Sequence, residues 1–240
     1  MLRFFITGSS DGIGLLTAQR LVANGHSVVL HARNASRAEE TRAKCPEASA
    51  VLVGDLSSLD ETKALAAEAN KLGPYEAVLH NAGVYSGPSL LTVNTLAPYV
   101  LTCLMNKPKQ LLFVSSGMHF AGRANVDGGE EQLRRSGYGD TKLHDVMLGK
   151  IFAQRWKDVT SFAADPGWVP TKMGGASAPG SIEESVRTFT MAALGQTKAK
   201  SGAYLVNSKE QEPNTVAADE ATQERLVKLL ETMSGTKIPE

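Results

Sequence analysis

Tyr138 and Lys142, four positions apart in the run YGDTK, are the residues of this sequence best suited to proton chemistry. Residues at that spacing in a helix share a face. A free tyrosine titrates at about pH 10 and exchanges protons poorly near neutrality. An ammonium beside it stabilises the phenolate and lowers that value. Such a pair suits general acid–base work on a carbonyl or an alcohol. The spacing alone is common on solvated helix faces, so the surroundings must carry the assignment.

A second stretch, TGSSDGIG at 7–14, has three glycines in eight residues directly after an apolar run. In a strand–turn–helix this pattern cradles the pyrophosphate of a dinucleotide. Gly8 allows the tight exit from the strand, Gly12 lets backbone approach the phosphate, and Gly14 lets the helix pack closely. Ser10, Asp11 and Ile13 complete the turn. The helix N-terminus adds unpaired N–H groups and a partial positive charge. The spacing is G-x-x-x-G-x-G instead of the commoner G-x-G-x-x-G. An acid after the second strand would bind a ribose 2′-hydroxyl and repel a 2′-phosphate. The sequence there reads VVLHARN, with Arg33 at the tip and Asn34 beside it. A guanidinium matches a phosphate dianion. NADP(H) is therefore favoured, with NAD(H) the alternative.

These residues need a scaffold, and the pattern supplies one. Apolar runs at 2–7, 27–32, 48–54, 75–80, 110–116, 158–164 and 202–207 read as strands. Helical patterns at 13–24, 35–44, 57–73, 90–105, 138–156, 181–194 and 219–233 alternate with them. Strands apolar along most of their length, separated by helices, indicate a parallel sheet covered on both faces. The expected fold is α/β: a doubly wound Rossmann domain of about seven strands with helices on both faces, spanning 1–240. NAG (81–83), VSSG (114–117) and DPGWVPT (165–171) end the fourth, fifth and sixth strands, where ligand contacts belong. Segments 117–137 and 166–180 are expected as substrate loops.

Composition narrows the class. The 240 residues carry a formal net charge of +0, with 42% hydrophobic and 21% charged residues. Nucleic acid is not expected as a partner, because neutralising phosphates needs a basic surface. Cys45 and Cys103 stand far apart with no metal-ligand spacing, so no metal is expected and two reduced thiols point to a cytoplasmic protein. The first strand begins at Leu2 and leaves no room for a secretory signal. The most apolar window, 90–105, contains Asn94 and Pro98 and reads as a core helix, not a membrane span.

The ordered set TGSSDGIG, GDL (54–56), NAG, VN (93–94), VSSG, YGDTK and DPGWVPT resembles the short-chain dehydrogenase/reductase family over essentially the whole chain. ARN after the second strand, the long segment before the tyrosine and the PGWV stretch look like its retinol-dehydrogenase-like, NADP(H)-using branch. The resemblance implies a carbonyl–alcohol oxidoreductase acting by hydride transfer on a small, lipophilic molecule. Tyr138 would be the general acid/base. Lys142 would tune it and hold the nicotinamide ribose. Ser116, in preference to Ser115, would bind the substrate oxygen, and Asn94 would anchor a relay water. Asp55 and Leu56 would contact adenine, and Asn81, Ala82 and Gly83 the adenosine ribose. Pro166, Gly167, Val169 and Thr171 would line the nicotinamide.

Departures from the family pattern carry their own expectations. His80 replaces the first asparagine of NNAG. Only 11 positions separate Gly83 from Asn94, so the fourth helix is expected to be short. That helix often makes the family's dimer interface, which puts the usual homo-oligomer in question. His119 reads as a loop residue shaping the site, and Trp168 and Met173 as apolar contacts. Competing readings are a dinucleotide-binding redox sensor without turnover and an epimerase or dehydratase acting on a nucleotide sugar. The latter would need more chain after the PG motif.

Overall fold

The computed structural model describes residues 1–240. Successive side chains of a strand point to opposite faces, so a sheet buried on both sides needs strands apolar throughout. In β1 (Arg3–Ile6), Phe4 and Ile6 enter one core and Phe5 the other. The same division runs through β5 (Gln110–Val114): Leu111 and Phe113 face one layer, Leu112 and Val114 the other. One layer holds α1 (Gly12–Ala23) and α7 (Ile182–Ala193), which pack against each other. The opposite layer holds α3 (Leu59–Leu72), α4 (Ala97–Leu104) and α6 (Tyr138–Arg155), with Tyr99, Phe152 and Trp156 at its centre.

The remaining strands are β2 (Ser27–Ala32), β3 (Ala50–Val53), β4 (Ala77–His80), β6 (Thr160–Asp165), β7 (Tyr204–Val206) and β8 (Lys209–Gln211). The sheet order is β3-β2-β1-β4-β5-β6-β7-β8, parallel as far as β7. The winding direction reverses between β1 and β4, which opens a crevice beyond the carboxyl ends of these two strands. α2 (Ala35–Lys44) packs on β2 and β3. Serine and asparagine side chains start the helices as their types predict. Asn34, Ser58 and Ser181 accept from the N–H groups of Arg37, Glu61 and Glu184 at 3.0, 3.3 and 3.2 Å.

Three local features depart from the sequence expectation. β8 adds an eighth strand, antiparallel to β7. Its turn, Asn207-Ser208, has φ of 49° and 62° at the two central positions, the hairpin geometry usually signalled by Asn-Gly. The strand itself, KEQ, is exposed and carries no apolar signal. The helix expected over 90–105 begins as a π turn, Thr92–Leu96, that carries Asn94 into the interior. The 117–137 segment is not irregular throughout: Gly117–Ala121 forms a 3-10 turn and Gly129–Arg134 the short helix α5. A final helix, α8 (Glu220–Ser234), ends on Gly235 in the left-handed conformation. No helix is long and apolar enough to cross a membrane.

Candidate active site

The glycine turn leaves β1 at the crevice. Gly8 and Gly12 have φ of 60° and 56°, a region that disfavours side chains. A Cβ on Gly8 would lie 2.7 Å from Ala82 Cα, and one on Gly14 would collide with Asn81 Nδ2. Gly14 thus makes room for the Asn81 amide, more than for helix against sheet. That amide donates to the carbonyls of Thr7 and Gly8 at 3.0 and 2.9 Å, tying the turn to the end of β4. The first main-chain bond of α1 runs from Leu15 N–H to Asp11 O at 3.3 Å. The N–H groups of Gly12, Ile13 and Gly14 therefore have no helical acceptor and are available to an anion.

His31, near the end of β2, supports this turn from below. Its Nδ1 accepts from Gly8 N–H at 3.0 Å and its Nε2–H donates to Gly54 O at 2.8 Å. The ring is neutral by this arrangement, and burial holds its pKa below the usual histidine range. The only signal for it in the sequence is one polar residue inside the apolar run VVLHA.

A cavity of about 570 Å³ follows the crevice from this turn to Tyr138 and Lys142. Its walls include Gly8, Ser10, Asp11, Gly12, Ile13, Arg33, Asp55, Leu56, Asn81, Ala82, Gly83, Pro166 and Thr171, all expected from the sequence. Arg37 and Lys172 join them unannounced. Both cations pair with the Asp11 carboxylate, at 2.7 and 3.4 Å, which offsets the acid in the glycine turn. Asn34 is not part of this wall; its side chain caps α2.

At the far end, α6 starts at Tyr138 and places Lys142 one turn deeper, 4% exposed. Lys142 Nζ lies 5.6 Å from the Tyr138 ring centre. It donates to Val114 O at 2.7 Å and to Asp145 Oδ2 at 2.8 Å, where Asp145 is 2% exposed. Ser115 turns inward, its hydroxyl donating to Lys142 O at 2.7 Å. Ser116 faces the site and its hydroxyl favours the Tyr138 phenolate. Asn94 Oδ1 accepts from Val84 N–H at 2.8 Å, and its Nδ2 donates to Val84 O and to Thr141 Oγ1 at 2.9 and 3.1 Å. One lone pair of Oδ1 remains for a water. A Cβ on Gly83 would sit 3.5 Å from Asn94 Oδ1 and 3.6 Å from Lys142 Nζ, so glycine keeps this space open.

The electrostatics differ from the simple tyrosine–lysine pair. Burial raises the Tyr138 pKa and Lys142 lowers it, but Asp145 and Asp165 push it up again, and the balance lies above the usual value. The lysine's pull is present and outweighed. Burial likewise drives the Asp145 carboxyl upward against the pull of Lys142.

A second cavity of about 610 Å³ adjoins the first and shares Ile13, Ser115, Tyr138, Pro166, Thr171 and Met173 with it. Gly167, Trp168, Val169 and Gly174 line it from the 166–180 loop. Tyr85, missed from sequence, stands over Tyr138 with ring centres 4.8 Å apart. Met118, Trp168, Met173 and Tyr85 are all exposed, so the wall is apolar and open. The Tyr138 hydroxyl also meets the Met173 sulfur, at 3.9 Å.

Of the 117–137 segment, only Gly117 and Met118 reach this cavity. The rest is tied down elsewhere. His144 Nε2 donates to Ala124 O at 2.8 Å, Asn125 Nδ2 to Asp140 Oδ2 at 2.8 Å, and Asn214 Nδ2 to Phe120 O at 3.2 Å. His119 is fully buried; its Nδ1–H donates to Ser116 O at 2.8 Å and its Nε2 accepts from Asn214 N–H at 3.1 Å. With both nitrogens engaged it braces Ser116 and has no free atom for proton transfer.

A glycine-turn crevice leads to a half-buried tyrosine beside a buried lysine, at the switch point of a Rossmann-type sheet. The short chain dehydrogenase family profile matches residues 3–104. An uncharacterized oxidoreductase of Emericella nidulans is 46% identical across the whole chain and 99% of its own length. Short-chain dehydrogenase chyC of Penicillium rubens is 40% identical, with both chains fully covered. Human retinol dehydrogenase 14 is 27% identical over 96% of this chain and 85% of its own. Among solved structures, a metagenomic blue fluorescent protein in complex with NADPH superposes with a TM-score of 0.71 at 20% identity, covering 85% of this chain and 95% of that one. This chain belongs to the short-chain dehydrogenase/reductase family, and it is an oxidoreductase.

Proposed function

We propose that this protein is an NADP(H)-dependent carbonyl reductase and alcohol dehydrogenase acting on a lipophilic, ring-bearing or long-chain substrate. The observation that carries the reading is the position of Tyr138, at the one junction between a cavity suited to a dinucleotide and an apolar, open cavity. The unbonded N–H groups of Gly12 to Gly14 and the positive-φ glycines fit a pyrophosphate. Arg33 and Arg37, with no acid at the tip of β2, fit a 2′-phosphate. Asp55 and Leu56 bound the adenine end, while Ala82 and Gly83 flank the adenosine ribose. Pro166 and Thr171, shared by the two cavities, bound the nicotinamide end, with Gly167 and Val169 beyond them on the second cavity's wall. The NADPH of the structural neighbour agrees with this assignment.

The cofactor supplies or accepts the hydride at the substrate carbon. In reduction, Tyr138 gives its phenolic proton to the substrate oxygen, which the Ser116 hydroxyl holds in place. In oxidation, the phenolate takes that proton back. Lys142 stabilises the phenolate and keeps one N–H for the ribose. Asn94 fixes the Gly83–Val84 turn beside the ammonium and offers Oδ1 to a relay water. Tyr85, Met118, Trp168 and Met173 receive the apolar body of the substrate, with Met173 giving up its place at the hydroxyl. The name of the retinol dehydrogenase relative is in keeping with an apolar substrate.

NADPH oxidation is measured with a panel of aliphatic and aromatic ketones and aldehydes, for wild type and Tyr138→Phe. The variant is expected to lose about 10²–10⁴-fold in kcat, with little change in NADPH affinity. Full activity in the variant would remove Tyr138 from the chemistry. A wild type that binds NADPH tightly and reduces nothing would favour the redox sensor.

A further inference from the structure

Lys142 is buried, yet it does not act alone. An ammonium has three N–H donors. One goes to Val114 O at 2.7 Å, one to Asp145 Oδ2 at 2.8 Å, and one is left for the cavity. Asp145 is three positions on, 2% exposed, and Lys142 is its hydrogen-bond partner. A carboxylate this deep and this close does two things. It fixes the direction of the lysine chain, and it cancels much of the charge that reaches Tyr138, because the two fields oppose each other in a low-dielectric interior.

We propose that Asp145 is a positioning residue whose buried ion pair aims the Lys142 ammonium and masks its charge, so that Tyr138 stays protonated at neutral pH and the site favours carbonyl reduction. The proposal rests on the reading of Tyr138 as the proton donor. In reduction the proton leaves Tyr138 for the substrate oxygen as hydride arrives at the carbon, and the phenolate is reprotonated from solvent. A free ammonium would favour the phenolate and hence alcohol oxidation.

Other groups bear on the pair. On α6 itself they are Tyr138 and His144; His144 is bonded through Nδ1 to Thr95 Oγ1 at 3.2 Å and through Nε2 to Ala124 O at 2.8 Å. From β6 comes Asp165, whose Oδ1 accepts from Gly167 N–H at 2.7 Å and whose Oδ2 accepts from Tyr204 O–H at 3.3 Å. From the 117–121 turn comes His119, engaged at both nitrogens. The other segments packed on α6, β5 and the turns at 92–96 and 215–218, carry no titratable side chain. No second cation faces Asp145. Burial drives its carboxyl up and Lys142 draws it down; the ionised form, held by the ammonium at 2.8 Å, is the one that raises the Tyr138 pKa.

The test is Asp145→Asn, which keeps an acceptor for the ammonium and removes the charge, with Asp145→Ser as a second variant. The pH profile of kcat is measured in both directions, with the matched alcohol and NADP⁺ for oxidation. The acid limb of oxidation is expected to move down by about 1–2 pH units, and the basic limb of reduction to move down with it. The oxidation-to-reduction ratio at pH 7 should rise about tenfold or more, one pKa unit being a factor of ten. A merely structural aspartate would alter stability and leave both limbs in place, and superimposable profiles would overturn the proposal. Ultraviolet difference titration of wild type against Tyr138→Phe reads the phenolate without turnover. It expects Tyr138 to titrate above the free-tyrosine value in wild type and lower in Asp145→Asn. That separates failure of this proposal from failure of the proposed reaction. If neither variant folds, the wild-type titration decides: a Tyr138 that ionises near neutrality overturns the masking.

Discussion

At the scale of single residues, the division between cofactor and chemistry is one of charge. Arg33 is exposed at the tip of β2, and Arg37 stands one helical turn further on, held by Asp11 at 2.7 Å and by Glu40 at 3.0 Å. In the proposed NADP(H) complex a 2′-phosphate would add two negative charges where these cations lie. Arg33→Ala and Arg37→Ala are each expected to raise KM for NADPH about tenfold or more, a cost of about 1.4 kcal/mol, while KM for NADH changes little. Equal losses with both cofactors would refute the 2′-phosphate role and support the NAD(H)-preferring alternative. Steady-state kinetics with the two cofactors decides it.

At the scale of elements, α4 is short and enclosed. Residues Ala97 to Cys103 are all buried, although their resemblance to the family places a subunit interface on this helix. α3 packs along it, and α8 with the residues after it closes over α4 and the end of α6. Arg155 pairs with Glu224 at 2.7 Å, Tyr99 O–H donates to Thr236 O at 3.0 Å, and Trp156 Nε1–H donates to Pro239 O at 3.0 Å. Leu226, Val227 and Leu230 complete the apolar contact. The α4 face is therefore used internally. The full chain is expected to scatter light as a 25.5 kDa monomer, and deletion of residues 235–240 to expose Tyr99 and Trp156 and promote self-association. A full-length dimer cross-linked through α4 would refute this.

At the scale of the whole molecule, buried neutral histidines tie stability to pH. Burial lowers His80 to about 3 and His144 to about 4. His80 sits between Phe113, at 4.9 Å between ring centres, and Thr102 Oγ1, at 2.8 Å, and its Nδ1 has no partner. Unfolded, such a ring takes up a proton at about pH 6.5. The unfolded chain then binds more protons than the folded one, so the stability these groups give above that pH is lost as pH falls toward 4. The raised Asp145 carboxyl acts in the opposite sense, so the clean measurement is a difference. Urea unfolding between pH 6.5 and 4.5 is expected to weaken more steeply in wild type than in His80→Gln, by up to about 1.4 kcal/mol per pH unit. Parallel slopes would show that His80 is protonated in the folded state.

Short-range order was determined by the sequence itself. Strands covered on both faces are apolar along most of their length, and glycines at sharp turns have no substitute, so β1 to β7, the glycine turn and the Tyr138–Lys142 helix are all legible in one dimension. β8 was not, because its pairing depends on an Asn-Ser turn and on the edge that β7 offers. Nor was the π turn that buries Asn94. Tertiary structure alone decided which polar groups share a neighbourhood. Gly14 makes room for Asn81, 67 positions away. His31 joins Gly8 to Gly54, His119 braces Ser116 instead of entering the chemistry, and most of 117–137 packs away from the pocket it was expected to cover. Asp145 lies within the motif-bearing helix, yet its effect depends on burial, which sets how strongly one charge acts on another. That dielectric environment is made by the packed layers around α6, and no spacing along the chain records it.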